Sequence, residues 1–184
     1  MTGIRIRAFR YLRILKLFVI PLLVSASGRA QLRDERVVRA AYVFNLTKYV
    51  EWPMAGNDLV IGFEGTRPTG EILQKLLDGK ISDSHLIRVV LFPTNEELRR
   101  CNILYLTDPG EKKTRNVLES LDTRNVLTVG ETDDFAKSGG VVGLVKAGDQ
   151  IQIQVNLDAA QRAGIKISSR LLNLAVIVHE QPAL

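Results

Sequence analysis

Apolar residues recur along this chain with two alternating periods, and the alternation predicts an α/β domain. Residues 33–50 carry the helical period. Val37, Ala41, Phe44 and Lys48 share one face, and Val38, Val43 and Leu46 widen its apolar side. Pro53 stops this helix. Residues 59–64 (LVIGFE) are a short apolar run of strand type. Residues 65–70 read as a loop, and residues 71–77 as a helix closed by Gly79. Residues 86–92 (LIRVVLF) are rich in β-branched and aromatic side chains, as strands are. Thr94, with Glu97 three residues on, has the form of a capping box for a short helix reaching Arg100.

The second half repeats the pattern. Residues 102–106 (NILYL) read as a buried strand, 111–121 (EKKTRNVLESL) as a helix and 125–129 (NVLTV) as another strand. Thr132 to Phe135 opens a short helix that ends at Gly139 and Gly140. Residues 141–146 and 150–155 form a hairpin around Ala147, Gly148 and Asp149. Ile151, Ile153 and Val155 alternate there with Gln152 and Gln154, so one face is buried and one is wet. Asn156 caps a helix over 157–163 that Gly164 ends. Ser168 or Ser169 caps a last helix through Val178, apolar on most sides. Short apolar strands separated by helices imply a three-layer α/β domain. Its sheet is mostly parallel, with about six strands and one antiparallel hairpin, and helices cover both faces.

Residues 1–30 break the pattern. Arg5, Arg7, Arg10, Arg13 and Lys16 precede the apolar run 17–24, and small residues follow, with no Asp or Glu anywhere in the segment. A basic start, a short apolar centre and a small-residue end describe a secretory signal peptide. Gly28 and Ala30 suit the protease, which places the cut before Gln31. The apolar run is about half the length a membrane span needs, with Pro21 inside it. No cysteine stands near the cut to carry a lipid.

The leader also changes what the charge means. The chain has 25 Lys and Arg against 20 Asp and Glu, a net of +5. Six of the basic residues lie in the leader, which leaves 19 against 20 in the rest. The exported domain, residues 31–184, is nearly neutral and gives no support to nucleic-acid binding. It is one domain of ordinary size, and no later run is long enough to cross a membrane. It is therefore expected to be soluble in the periplasm, where disulfides are permitted. Yet its single cysteine, Cys101, cannot form one internally.

The search for chemistry finds little. His85 precedes a strand and His179 follows the last expected helix, and neither has a metal-ligating neighbour at a useful spacing. No Gly-x-Ser-x-Gly elbow occurs. Cys101 sits where a strand begins and reads as a small buried apolar residue. No catalytic, cofactor or metal site is assigned. Two segments retain interest as ligand or partner contacts. The turn at Thr66, Arg67 and Thr69 follows a strand and precedes a helix, an arrangement that offers backbone N–H groups to an anion. It lacks both the dinucleotide fingerprint and the Walker lysine. Trp52, the one tryptophan, either packs the first helix against the sheet or lines a contact.

Two separated blocks carry a resemblance. Residues 39–53 (RAAYVFNLTKYVEWP) resemble the opening signature of the YfiR-like family of periplasmic regulatory proteins. So do residues 126–130, Phe135, 139–142, 154–160 and 164–175, in order and spacing, with 101–105 (CNILY) matching the family's middle strand. The resemblance spans nearly all of the chain beyond the leader. It implies a compact α/β fold, a capacity to form homodimers, and a regulatory binding protein rather than an enzyme. The best-known type of member holds the periplasmic part of a membrane diguanylate cyclase inactive, which limits cyclic-di-GMP and biofilm. Others resemble input domains of sensor kinases. Many relatives carry a second cysteine in the first strand that pairs with the one matching Cys101. Here Ile61, Gly62 and Phe63 stand there instead, so redox control by an internal disulfide does not carry over. The alternative from a different class is a free-standing periplasmic small-molecule binder, with its ligand near 65–70 or Trp52.

Overall fold

The computed structural model describes residues 34–52, 56–107, 110–121 and 125–180; the leader and its expected cut before Gln31 lie outside them, and the first helix ends at Leu46 rather than running on to Pro53, because residues 50–51 pair as a strand. Each run of strand-type sequence pairs with a neighbour. The six expected strands are β2 (Asp58–Glu64), β4 (His85–Leu91), β5 (Ile103–Leu106), β6 (Leu127–Gly130), β7 (Val142–Ala147) and β8 (Gln150–Asn156). They form the body of an eight-stranded sheet, completed by the short edge strands β3 (Ile81–Ser82) and β10 (Val176–Val178). The order is β10-β8-β7-β6-β5-β2-β4-β3. Five of its seven pairings are parallel; β3–β4 and the β7–β8 hairpin are antiparallel. Gly148 turns the hairpin with a φ of +62°, as the first central residue of a two-residue loop. A separate antiparallel pair joins β1 (Val50–Glu51) to β9 (Lys166–Ile167).

Strand alternation sends side chains to two faces. Leu59, Ile61 and Phe63 of β2, Ile103 and Tyr105 of β5, and Leu127 and Val129 of β6 point into the larger core. The helices α1 (Glu35–Leu46) and α2 (Arg67–Leu77) cover it with Ala40, Val43, Leu46, Leu73 and Leu77. α5 (Leu157–Arg162) and α6 (Ser169–Leu172) add Ala159, Ala160 and Leu171 to the same core. On the opposite face Leu104 and Leu106 meet Leu98 of α3 (Asn95–Leu98), Leu121 of α4 (Glu111–Leu121), Cys101 and Phe135. Helices therefore lie on both faces, as expected of a three-layer domain.

Capping chemistry fixes several boundaries. Thr94 and Glu97 form the expected capping box around α3, with Glu97 Oε2 accepting from Thr94 N at 2.8 Å. Asn156 Oδ1 accepts from Ala159 N at 2.9 Å and starts α5. Ser168, rather than Ser169, is the N-cap of α6.

Four expectations change. First, α2 begins at Arg67, because Pro68 suits the first turn of a helix; most of the segment expected as loop is helical. Second, residues 132–139 form successive turns rather than a helix. Gly130 and Gly140 flank the Phe135 ring so closely that a Cβ on either would stand 2.2 or 2.1 Å from it, and this packing sets the local path. Third, the last helix is one turn long, and Val176 to Val178 continue as β10 alongside β8. A run apolar on every side suits an edge strand as readily as a buried helix, and periodicity does not separate the two. Fourth, α1 turns Val37 and Ala41 outward and buries Arg39, Ala40, Val43 and Leu46.

Candidate functional site

The residues named from sequence occupy two ends of the sheet. Trp52 is partly buried, and its indole N–H donates to the Thr47 carbonyl at 2.8 Å, just past the end of α1. The Thr47 hydroxyl in turn meets Ser82 Oγ of β3 at 2.6 Å. Thr66 and Thr69 share a hydroxyl–hydroxyl hydrogen bond of 2.9 Å at the start of α2. Arg67 lies 5.7 Å from the ring of Phe92, which follows the end of β4. Ser82 pairs with His85 at the start of β4, so the length of β4, about 20 Å, lies between the two groups. The structure does not bring Trp52 together with Thr66, Arg67 and Thr69.

The Thr66 turn does stand at a topologically meaningful place. Strand order reverses between β2 and β5, and open α/β sheets bind ligands outside the carboxyl ends of such strands. The gap there is spanned by Glu64 of β2 and Lys113 of α4, paired at 2.7 Å. Farther along the same edge, a groove of about 430 Å³ runs between α4 and the turns at 132–138. Leu118 and Phe135 supply its apolar lining, and Glu111, Arg115, Asp133 and Asp134 its charges.

The largest departure from an ordinary surface is at the other end of the sheet order. Among the described residues β10 is an edge strand, paired only with β8. Leu174 is 71 % exposed, and Val176, Ile177 and Leu157 are exposed beside it. Val176 pairs with Gln154 and Ile177 with Val155, so the valine and isoleucine side chains leave opposite faces of the strand. Ion pairs hold the residues that follow the strand: His179 with Asp158 at 3.2 Å and Glu180 with Arg162 at 2.7 Å. Exposed apolar side chains on both faces of an edge strand, with its outer side unpaired among the described residues, mark a place for another chain.

Sequence reasoning also misses a buried polar cluster under α1. Arg39, 6 % exposed, bonds Glu35 at 2.5 Å and the Leu144 carbonyl of β7, and it lies 3.6 Å from Glu131. The Tyr105 hydroxyl, deep in the core, donates to Glu131, and Lys146 of β7 pairs with Glu35 at 3.0 Å. Burial pushes the Glu131 carboxyl above the usual glutamate range, against the hydrogen bond from Tyr105 and the charge of Arg39. Glu35, held by Arg39 and Lys146, is lowered instead. The signal for Arg39 is legible in the chain, since it follows Glu35 by four residues on the stripe that holds Val43 and Leu46.

Cys101 is buried, its thiol donating to the Glu97 carbonyl at 3.3 Å, and burial pushes it up to about 11. A thiol so rarely ionised is a poor nucleophile. Among the described residues no three His, Cys, Asp or Glu side chains are grouped to hold a metal ion, and no helix is long and apolar enough to cross a membrane.

The sequence profile described as YfiR/HmsC-like matches residues 36–176, from the first turn of α1 to the first residue of β10. That span contains every element of both cores, and with it the chain belongs to the YfiR/HmsC-like family, whose members are periplasmic regulatory proteins.

Proposed function

We propose that this protein is a periplasmic regulatory binding module that inhibits a membrane diguanylate cyclase, or a similar signalling protein, by docking on its periplasmic part. The observation that carries the reading is the apolar β10 edge at Leu174, Val176 and Ile177, open to solvent in a protein of a regulatory family. Protein partners are held by a few apolar anchors, and exposed apolar side chains on an edge strand offer them. The acid-free basic leader supports export, with cleavage before Gln31.

Crosslinking in intact cells tests the docking. The wild-type protein is expected to capture a membrane cyclase or kinase. Leu174→Asp should weaken the crosslink while keeping the wild-type melting temperature, because that side chain is 71 % exposed. Deleting the gene should raise cyclic-di-GMP. Restoring it without residues 1–30 should fail to lower it again, since the protein stays in the wrong compartment. N-terminal sequencing of the exported protein should start at Gln31. Unchanged cyclic-di-GMP on deletion, with no membrane protein captured, overturns the reading. The competing reading, a free-standing small-molecule binder, has the groove between α4 and the 132–138 turns in its favour, and it takes precedence in that event.

A further inference from the structure

Two acids, two bases and a phenol meet beneath α1, and their contacts are unequal. Arg39 and Glu35 come from α1, Tyr105 from β5, Glu131 from the residue after β6, and Lys146 from β7. Arg39 commits its shortest carboxylate contact, 2.5 Å, to Glu35, and a further N–H to the Leu144 carbonyl. Glu35 also has Lys146 at 3.0 Å. Glu131 receives only the long side of the guanidinium, 3.6 Å away, together with the Tyr105 hydroxyl. Two carboxylates thus compete for one guanidinium, and the less exposed of the two has the weaker claim: side-chain exposure is 24 % for Glu131 and 41 % for Glu35. A buried carboxylate with partial compensation carries a desolvation cost that a proton removes.

We infer that this cluster is a proton-dependent latch on α1, closed when Glu131 is protonated and loosened when Glu131 ionises. Protonated Glu131 keeps the hydrogen bond from Tyr105 and leaves the charge of Arg39 to Glu35. Ionised Glu131 keeps the desolvation cost of its partial burial and contends with Glu35 for Arg39, which weakens the ties that hold α1 to the sheet. The sign follows from linkage. A buried carboxyl whose titration is raised gives stability that is fully present below the ordinary glutamate range and is lost as pH rises through its raised value. Mild acid therefore tightens α1, and approach to neutrality loosens it. The device acts on the fold and does not depend on which partner is bound.

Trp52, the chain's one tryptophan, reports on α1 because its indole bonds to the Thr47 carbonyl at the helix end. Urea unfolding followed by Trp52 fluorescence between pH 5 and 8 should show the wild-type folding constant falling with rising pH. The limit is about tenfold per pH unit, the value for release of one proton. Glu131→Gln, fixed in the neutral form, should lack that fall. Tyr105→Phe removes a bond that favours the ionised form, so it should move the midpoint of the fall to higher pH; loss of packing alone leaves that midpoint in place. Carbon-13 NMR of the Glu131 carboxyl in the wild-type protein gives the titration directly and decides the matter if Glu131→Gln does not fold. A Glu131 titration in the ordinary carboxylate range, or an equal fall in wild type and Glu131→Gln, overturns the latch.

Discussion

The two faces of the sheet are built on different scales from the same strands. In β5, Ile103 and Tyr105 face the larger core and Leu104 and Leu106 the smaller, all of them buried. The helices above differ far more than the strands do. α1 and α2 bury five apolar side chains against the larger core. α4, nearly as long, buries only Leu121 and tucks Val117 and Leu118 partly in. α3 is a single turn held by its capping box. The larger face resembles a closed interior. The smaller one is a shallow layer whose margin opens into the groove beside α4. Polar function can sit in either, but for different reasons. On the large face it is the enclosed Arg39 cluster, whose charges act strongly on one another because water is scarce. On the small face it is the wet rim at Glu111, Asp133 and Asp134, where they are screened.

Equivalent truncations should expose this contrast. Leu46→Ala, in α1 over the large core, is expected to cost about 4 kcal/mol, because closely packed neighbours on every side leave a cavity. Urea denaturation of the variant measures it. A loss under about 1 kcal/mol would mean that α1 does not close this face.

The next largest effect concerns the strand between the faces. A Cβ placed on Gly62 would stand 2.7 Å from Cys101 Sγ on the small face. That is close to the reach of a disulfide, so Gly62→Cys should pair with Cys101 under oxidising conditions and raise stability by about 3 kcal/mol. In the reduced protein the same side chain crowds Cys101, Leu104 and Pro93 and should lower stability instead. Mass spectrometry of free thiols, with melting in the presence and absence of reductant, separates the two states.

Leu121→Ala is the counterpart of Leu46→Ala on the small face. Its cost is expected to be about 2 kcal/mol, at the low end for a buried leucine, because α4 has few other anchors and can settle into the space. Equal losses for the two leucines would erase the contrast between the faces.

The smallest effect should come from Cys101→Ser. A hydroxyl in place of the thiol is somewhat smaller and more polar but can still donate to the Glu97 carbonyl, so the melting temperature should move by only a few degrees. In the wild-type protein, iodoacetamide at pH 8 should leave Cys101 unmodified until urea unfolds the chain, since burial holds the thiol at about 11. Rapid labelling of the folded protein would show that the small face opens.

Local chemistry makes most elements legible in the sequence. Alternation places β2 and β4 to β8 within a residue or two. The cap residues Thr94, Asn156 and Ser168 act where they stand, because a cap needs only atoms three residues away. The misses share a cause. Residues 174–178 are apolar on all sides, so no period separates helix from strand; pairing with β8 decides it. Two-residue strands such as β1, β3 and β9 have no pattern long enough to read; β1 and β9 exist because a distant segment supplies the hydrogen bonds, and β3 because a tight turn folds it back on β4. Trp52 and the Thr66 turn are sound candidates by residue type, but which of them meet depends on the length of β4.

The sequence by itself determined the family, the alternation of strands and helices, the parallel sheet and the presence of two covered faces, because these rest on periods of two and 3.6 residues and on turn chemistry within a few positions. Only the tertiary structure decided that Val176 and Ile177 form an open edge, that Arg39 lies inside, and that Glu35 and Glu131, 96 positions apart, compete for it. The reason is physical. Exposure of an apolar side chain and the charge state of a partly buried acid are properties of what surrounds a residue, and for these residues the surroundings come from other elements of the fold rather than from their neighbours in sequence.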